Sequence, residues 1–143
     1  MELTPLATYT ASMAKTEMVA PTPLGQRFIV GVKDARWDGE RIQASQRGSS
    51  ATDWLLQTAD GTAHVDVRLT LRTDDGALIY VTYGGRGMWP DGAASGPVYC
   101  AFTFETGDER YSWMNSILAV AEASSTVNTS PTRLRNCADR SSP

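Results

Sequence analysis

Through most of this chain apolar residues recur with period two, and the alternating runs are broken by Asp-Gly pairs at 38–39, 60–61 and 75–76. Period two is the spacing of a strand with one buried face, and Asp-Gly supplies the backbone conformation of a tight hairpin. The chain therefore reads as a meander of hairpins, with strands predicted over 6–14, 27–37, 40–44, 54–58, 63–72, 77–83, 99–104 and 117–123. Thr106 and Glu109 have the spacing of a capping box, which predicts one helical turn over 107–115. Five glycines and two prolines between 84 and 97 leave no periodicity, so that stretch is expected to be a long loop of the kind that forms a rim or lid. An open antiparallel sheet of this size would leave exposed edges, and closure removes them. The expected architecture is an all-β antiparallel barrel of about eight to ten strands over residues 1–123. A polar, solvated tail is expected over 124–143, where Ser, Thr, Asn, Arg and Pro accumulate without alternation.

At 143 residues the chain is long enough to bury a core without a metal or disulfides. A net charge of -3 with scattered basic residues disfavours nucleic acid as a partner. No apolar run approaches membrane-spanning length and the opening residues lack a secretory pattern, so a soluble, cytoplasmic protein without membrane association is expected. Cys100 and Cys137 lack zinc or disulfide-framework spacing, and Cys100 reads as a core residue. His64 is the one histidine, which excludes chemistry needing a histidine pair and leaves acid and base roles to carboxylates, tyrosine or lysine. Gly84, Gly85 and Gly87 resemble a phosphate loop only superficially, because no Lys-Ser/Thr follows. No metal or cofactor is expected.

In the 63–72 strand His64, Asp66, Arg68, Thr70 and Arg72 share one face, while Val65, Val67, Leu69 and Leu71 share the other. A two-residue turn at Asp75-Gly76 would set Arg68 opposite Tyr83, and a four-residue loop would set Asp66 there. A two-residue turn at Asp60-Gly61 would set Asp53 opposite Arg68. Each of these registers gathers Asp53, Asp66, Arg68 and Tyr83 on the polar face. That face is either ordinary solvated sheet surface or, if it points into the barrel, the wall of a small-molecule site. The second reading makes Asp53 or Asp66 the base, Tyr83 the proton donor or oxyanion partner and Arg68 the orienting charge, with Trp54, Tyr80, Trp89 and Trp113 as substrate-binding aromatics.

Asp53-Trp54, Asp60-Gly61, Asp66 to Arg68, residues 73–79 (TDDGALI), residues 104–108 (FETGD) and residues 111–115 (YSWMN) together resemble the domain of unknown function 3237 family across roughly residues 6–122. The resemblance implies a β-barrel of about ten strands, dimeric in many members, with small hydrophobic ligands in secondary-metabolism or aromatic-degradation settings. Members usually finish with a further alternating strand, which the segment after Ala123 lacks, so the sequence leaves barrel closure open.

These readings point to a cofactor-free enzyme, an isomerase, cyclase or lyase, acting by proton transfer on a hydrophobic carbonyl or aromatic metabolite. The alternatives are epoxide opening by water activated between Asp, Arg and Asp, and a ligand-binding barrel that does no chemistry.

Overall fold

The computed structural model describes residues 2–124 and 132–138. Among the described residues nine strands form one antiparallel sheet: β1 Glu2–Thr22, β2 Gly25–Asp38, β3 Gln43–Gln46, β4 Thr52–Gln57, β5 Thr62–Thr73, β6 Leu78–Met88, β7 Val98–Glu105, β8 Leu118–Ala123 and β9 Thr132–Ala138. Pairing runs β1–β9–β8–β7–β6–β5. From β5 it passes to β3 at one end and β4 at the other, both of which pair with β2, and β2 returns to β1. The sheet is thus a closed barrel, in agreement with the expected fold class.

Closure depends on β9, whose residues were expected to belong to a solvated tail. Its backbone pairs with β1 on one edge and with β8 on the other. A strand hydrogen-bonded on both edges is held by its ladders and needs little help from its own side-chain alternation. The rest of the expected tail lies outside the described residues apart from Ser124. β1 and β6 exceed their predicted lengths by the most. β1 runs on past Tyr9, where its pairing with β9 ends, and continues against β2 to the Thr22–Gly25 turn. β6 extends through Gly84, Gly85 and Gly87 to Met88, so the expected loop is shorter by five residues. Glycine is tolerated there because β7 approaches closely. A Cβ built on Gly85 would lie 2.5 Å from Cys100 Sγ and 2.9 Å from the Tyr99 carbonyl oxygen.

Both hairpins bordering β5 close through three-residue loops. In the first, Thr58 N–H donates to Thr62 O at 3.0 Å across Ala59-Asp60-Gly61; in the second, Thr73 N–H donates to Ala77 O at 2.8 Å across Asp74-Asp75-Gly76. Gly61 and Gly76 take the positive φ that ends such a loop, 85° and 99°. The threonine hydroxyl braces each loop: Thr58 Oγ1 donates to Asp60 Oδ1 and Thr73 Oγ1 to Asp75 Oδ1, both at 2.6 Å. An odd loop in place of an even one shifts the register by one residue, which moves the neighbouring strand's side chains to the opposite face.

The interior is filled unevenly. Towards the β5–β6 loop it is solid, with Ile42, Leu69, Leu71, Ile79, Val81 and Met114 essentially inaccessible. A 3-10 helix at Glu109–Ser116 covers that end, burying Tyr111 and Met114. Its N-cap is Asp108, which accepts from the Arg110 N–H, while Thr106 of the expected capping box instead donates its hydroxyl to Leu78 O. Towards the opposite end the inward residues shrink: Val67, Val65 and Ala63 succeed one another on β5, and Tyr83, Gly85 and Gly87 on β6.

Candidate active site on the inner wall

One rung of the sheet runs around the inner wall as Val30, Asp53, Val67, Tyr83, Phe102 and Ala119, each opposite the next on the neighbouring strand. The one-residue shift at each three-residue loop sets Asp53 and Tyr83 opposite Val67, on the apolar face of β5. Tyr9 of β1 lies opposite Trp37 of β2 and faces the same interior.

These side chains form a connected cluster. The hydroxyls of Tyr9 and Tyr83 are 3.2 Å apart and hydrogen-bonded. Tyr83 stacks on Phe102 with centroids 4.3 Å apart, and Tyr9 lies 5.5 Å from the Trp37 ring. Trp37 in turn stands nearly edge-on to Phe102 and Phe104, its indole N–H enclosed without a hydrogen-bond acceptor among the described residues.

Asp53 is fixed by a local departure from the ladder. Pairing between β4 and β5 is interrupted between the Asp53–Val67 and Leu56–His64 pairs. There the Asp66 N–H donates to Asp53 Oδ1 at 3.0 Å, and Trp54 O accepts from Arg27 Nη1 at 2.6 Å. One carboxylate oxygen is thereby anchored to the wall.

Electrostatics follow from enclosure. Burial pushes the Asp53 carboxyl up from 3.8 to about 6; the Asp66 N–H opposes this, and the negative charge of Asp66 adds to it. Burial also raises both phenols, Tyr83 far above its ordinary 10, and the charge of Asp53 contributes to each rise. The Cys100 thiol goes up to about 12 for the same two reasons, so this buried cysteine is a core thiol rather than a nucleophile. Near neutral pH the cluster holds one ionised carboxylate beside two protonated phenols.

The polar face of β5 points outward. Asp66 and Arg68 are exposed, 3.9 Å apart, and line a shallow outer depression with Thr82, Gly84 and Thr103, to which Tyr83 and Ala101 also contribute. The structure separates them from the interior by the thickness of the sheet, which corrects the expectation that the polar face lines the barrel. Among the expected aromatics, Trp54 and Tyr80 also face outward, 41% and 40% exposed. Trp113 sits on the 3-10 helix beneath the Arg41 guanidinium, 3.7 Å from its ring centroid. Trp89 is buried among the core residues. Of the eight expected site residues, Asp53 and Tyr83 meet on the inner wall, with Trp89 at one end of the barrel. Tyr9 was missed. It lies in an alternating run, and only its position opposite Trp37 reveals that it reaches Tyr83.

Among the described residues no group of three or more His, Cys, Asp or Glu could hold a metal ion, and no helix is long and apolar enough to cross a membrane.

Solved structures share this architecture. A β-barrel-like protein from Acinetobacter baumannii is 23% identical with a TM-score of 0.77, the alignment covering 94% of this chain and 93% of that one. A protein of unknown function from Clostridium acetobutylicum is 21% identical with a TM-score of 0.80, at coverages of 95% and 97%. One from Penicillium herquei, described as an enzyme, is 20% identical with a TM-score of 0.74, at coverages of 94% and 92%. Identities this low show a common fold and nothing finer. No curated protein matches the chain. The family model of the protein of unknown function DUF3237 matches residues 1–134, nearly the whole of the barrel, and the chain belongs to that family.

Proposed function

We propose that this protein is a cofactor-free enzyme that moves a proton within a small hydrophobic carbonyl or aromatic metabolite held inside the barrel, as an isomerase, cyclase or lyase. The observation that carries the reading is Asp53: a carboxylate anchored on the inner wall between Val30 and Val67, with its pKa raised to about 6, beside two hydrogen-bonded phenols. A base is most effective when its pKa lies near the working pH, and few other environments would bring an aspartate there. The ionised Asp53 takes a proton from the atom next to the substrate carbonyl, and the electron pair of the broken bond passes to the carbonyl oxygen. Of the two phenol protons, one is used between Tyr9 and Tyr83, and the other is free to donate to that oxygen as charge develops. The protonated Asp53 then returns the proton to a different atom, which isomerises the substrate or drives ring closure. A cytoplasmic setting in secondary metabolism and a homodimeric state belong to the same proposal, resting on composition and on the family resemblance.

Water activation between two carboxylates and an arginine loses its support, because Arg68 and the Asp66 side chain lie across the sheet from Asp53.

The elementary step can be tested without knowing the physiological substrate. Incubation in D2O with 1-indanone and 2-tetralone should exchange α-protons, followed by NMR, at a rate that rises with an apparent pKa near 6. Asp53→Asn should lower the rate by ~10²-fold or more. No exchange by the wild type, or an equal rate in the variant, would refute the reading. Binding of the ketones without exchange would leave a ligand-binding barrel.

A further inference from the structure

If substrate reacts on the inner wall, as proposed above, it must reach that wall from one end of the barrel. The helical end is filled by Ile42, Leu71, Ile79 and Met114, all essentially inaccessible. At the other end lies Trp89. Its backbone N–H donates to Gly61 O at 2.8 Å, which continues the β5–β6 ladder by one step beyond Thr62–Met88. Alternation along β6 then places Trp89 on the inward face, in file with Tyr83, Gly85 and Gly87. It is 6% exposed and belongs to the same continuous core cluster as Ala63, Val65 and Cys100.

We propose that residues 89–97 form a lid over the inner-wall site, with Trp89 as its plug and Gln57 as its latch. Gln57 faces inward on β4, in file with Asp53 and Leu55, and its Nε2 donates to Trp89 O at 3.1 Å. This bond and the one to Gly61 O tie the first residue of the lid to the β4–β5 hairpin. The indole N–H bonds within the lid itself, to Gly96 O at 2.8 Å. Asp91 N–H to Ser95 Oγ and Ser95 N–H to Gly92 O, both 3.2 Å, also lie inside it. The segment can therefore lift without losing its own fold. Opening breaks two hydrogen bonds to the barrel and withdraws one indole, a small enough cost for a gating motion.

The test is stopped-flow fluorescence with the full chain and N-phenyl-1-naphthylamine, a neutral probe that brightens in apolar surroundings. For the wild type the observed rate should level off as probe concentration rises, because lid opening becomes limiting. Gln57→Ala should raise that plateau about 3- to 10-fold, as expected for one lost hydrogen bond. Trp89→Ala should make the rate linear in concentration. A wild-type rate that is already linear and is unchanged in both variants overturns the lid while leaving the interior site standing. Absence of probe binding by the wild type and both variants overturns the lid and the interior site together. If Trp89→Ala fails to fold, an unchanged plateau in Gln57→Ala is sufficient to reject the lid.

Discussion

Asp53 should make the folded protein less stable as pH rises, the reverse of an ordinary carboxylate. Its folded pKa is about 6, while 3.8 is the usual value that the unfolded chain should retain. Between those two values the folded state keeps a proton that the unfolded state has lost, so the unfolding free energy falls across that window and is flat above it. At about 1.4 kcal/mol for each tenfold change in proton affinity, the cost by pH 7.5 is about 3 kcal/mol. That is an upper figure, since Asp53 is only partly buried. Asp53→Asn removes the charge but keeps an oxygen to accept from the Asp66 N–H. The variant should therefore be more stable than the wild type at pH 7.5, by up to about 3 kcal/mol, with this contribution falling to about 0.2 kcal/mol at pH 3.5. Asp60, Asp74, Asp75 and Asp108 have lowered pKa values from local hydrogen bonds and destabilise both proteins in acid, so they cancel in the difference. Urea denaturation of both proteins from pH 3.5 to 8 measures it directly. A difference of zero at pH 7.5, or a wild type that is the more stable there, would mean that Asp53 is solvated or ion-paired and would remove the physical basis for its proposed role as a base. Gain of stability with loss of exchange activity in one substitution is the signature of a group retained for function.

Asp66→Asn and Arg68→Ala alter an exposed pair and should change stability by no more than about 0.5 kcal/mol and leave ketone exchange within about twofold, checked by the same assays. In Asp66→Asn the apparent pKa of the exchange rate should move slightly down, because the charge of Asp66 contributes to raising Asp53. Gly85→Ala should cost about 2 kcal/mol or more in urea denaturation, and adding Cys100→Ala should restore only part of it, since the Tyr99 carbonyl 2.9 Å away cannot swing aside. Thr73→Val should cost about 1–3 kcal/mol by leaving the buried Ala77 N–H without the Thr73 Oγ1 acceptor now 2.7 Å from it, seen as a lowered urea midpoint.

The strands, the barrel and the core of β5 were legible because period-two alternation reports directly on burial. Val65, Val67, Leu69 and Leu71 are all inside. Strand ends were less legible. β1 and β6 are longer than their alternation because pairing with a neighbour extends a strand past the point where its own side chains are sorted by burial. β9 shows the same effect, since backbone partners on both edges made a strand from a segment with no visible period.

The site depended on a finer detail, the parity of two loops. Even-numbered loops at 60–61 and 75–76 gather Asp53 and Tyr83 with Asp66 and Arg68 outside the barrel; odd-numbered loops bring the first two inside and leave the others in solvent. Asp-Gly alone suits either length, but each pair here is preceded two residues earlier by a threonine, as Thr58-Ala-Asp60-Gly61 and Thr73-Asp-Asp75-Gly76. In both loops that threonine hydroxyl bonds the aspartate side chain at 2.6 Å, and the strands resume at the residue after the glycine or one later. The repeated Thr-x-Asp-Gly spacing is thus a physical signal for a three-residue loop, and it was present in the sequence. A three-residue loop at each of these sites is enough, by register alone, to put Asp53 and Tyr83 on the apolar face. An aspartate assigned to an apolar wall is the kind of inconsistency between local residue and environment that singles Asp53 out for the catalytic role proposed for it.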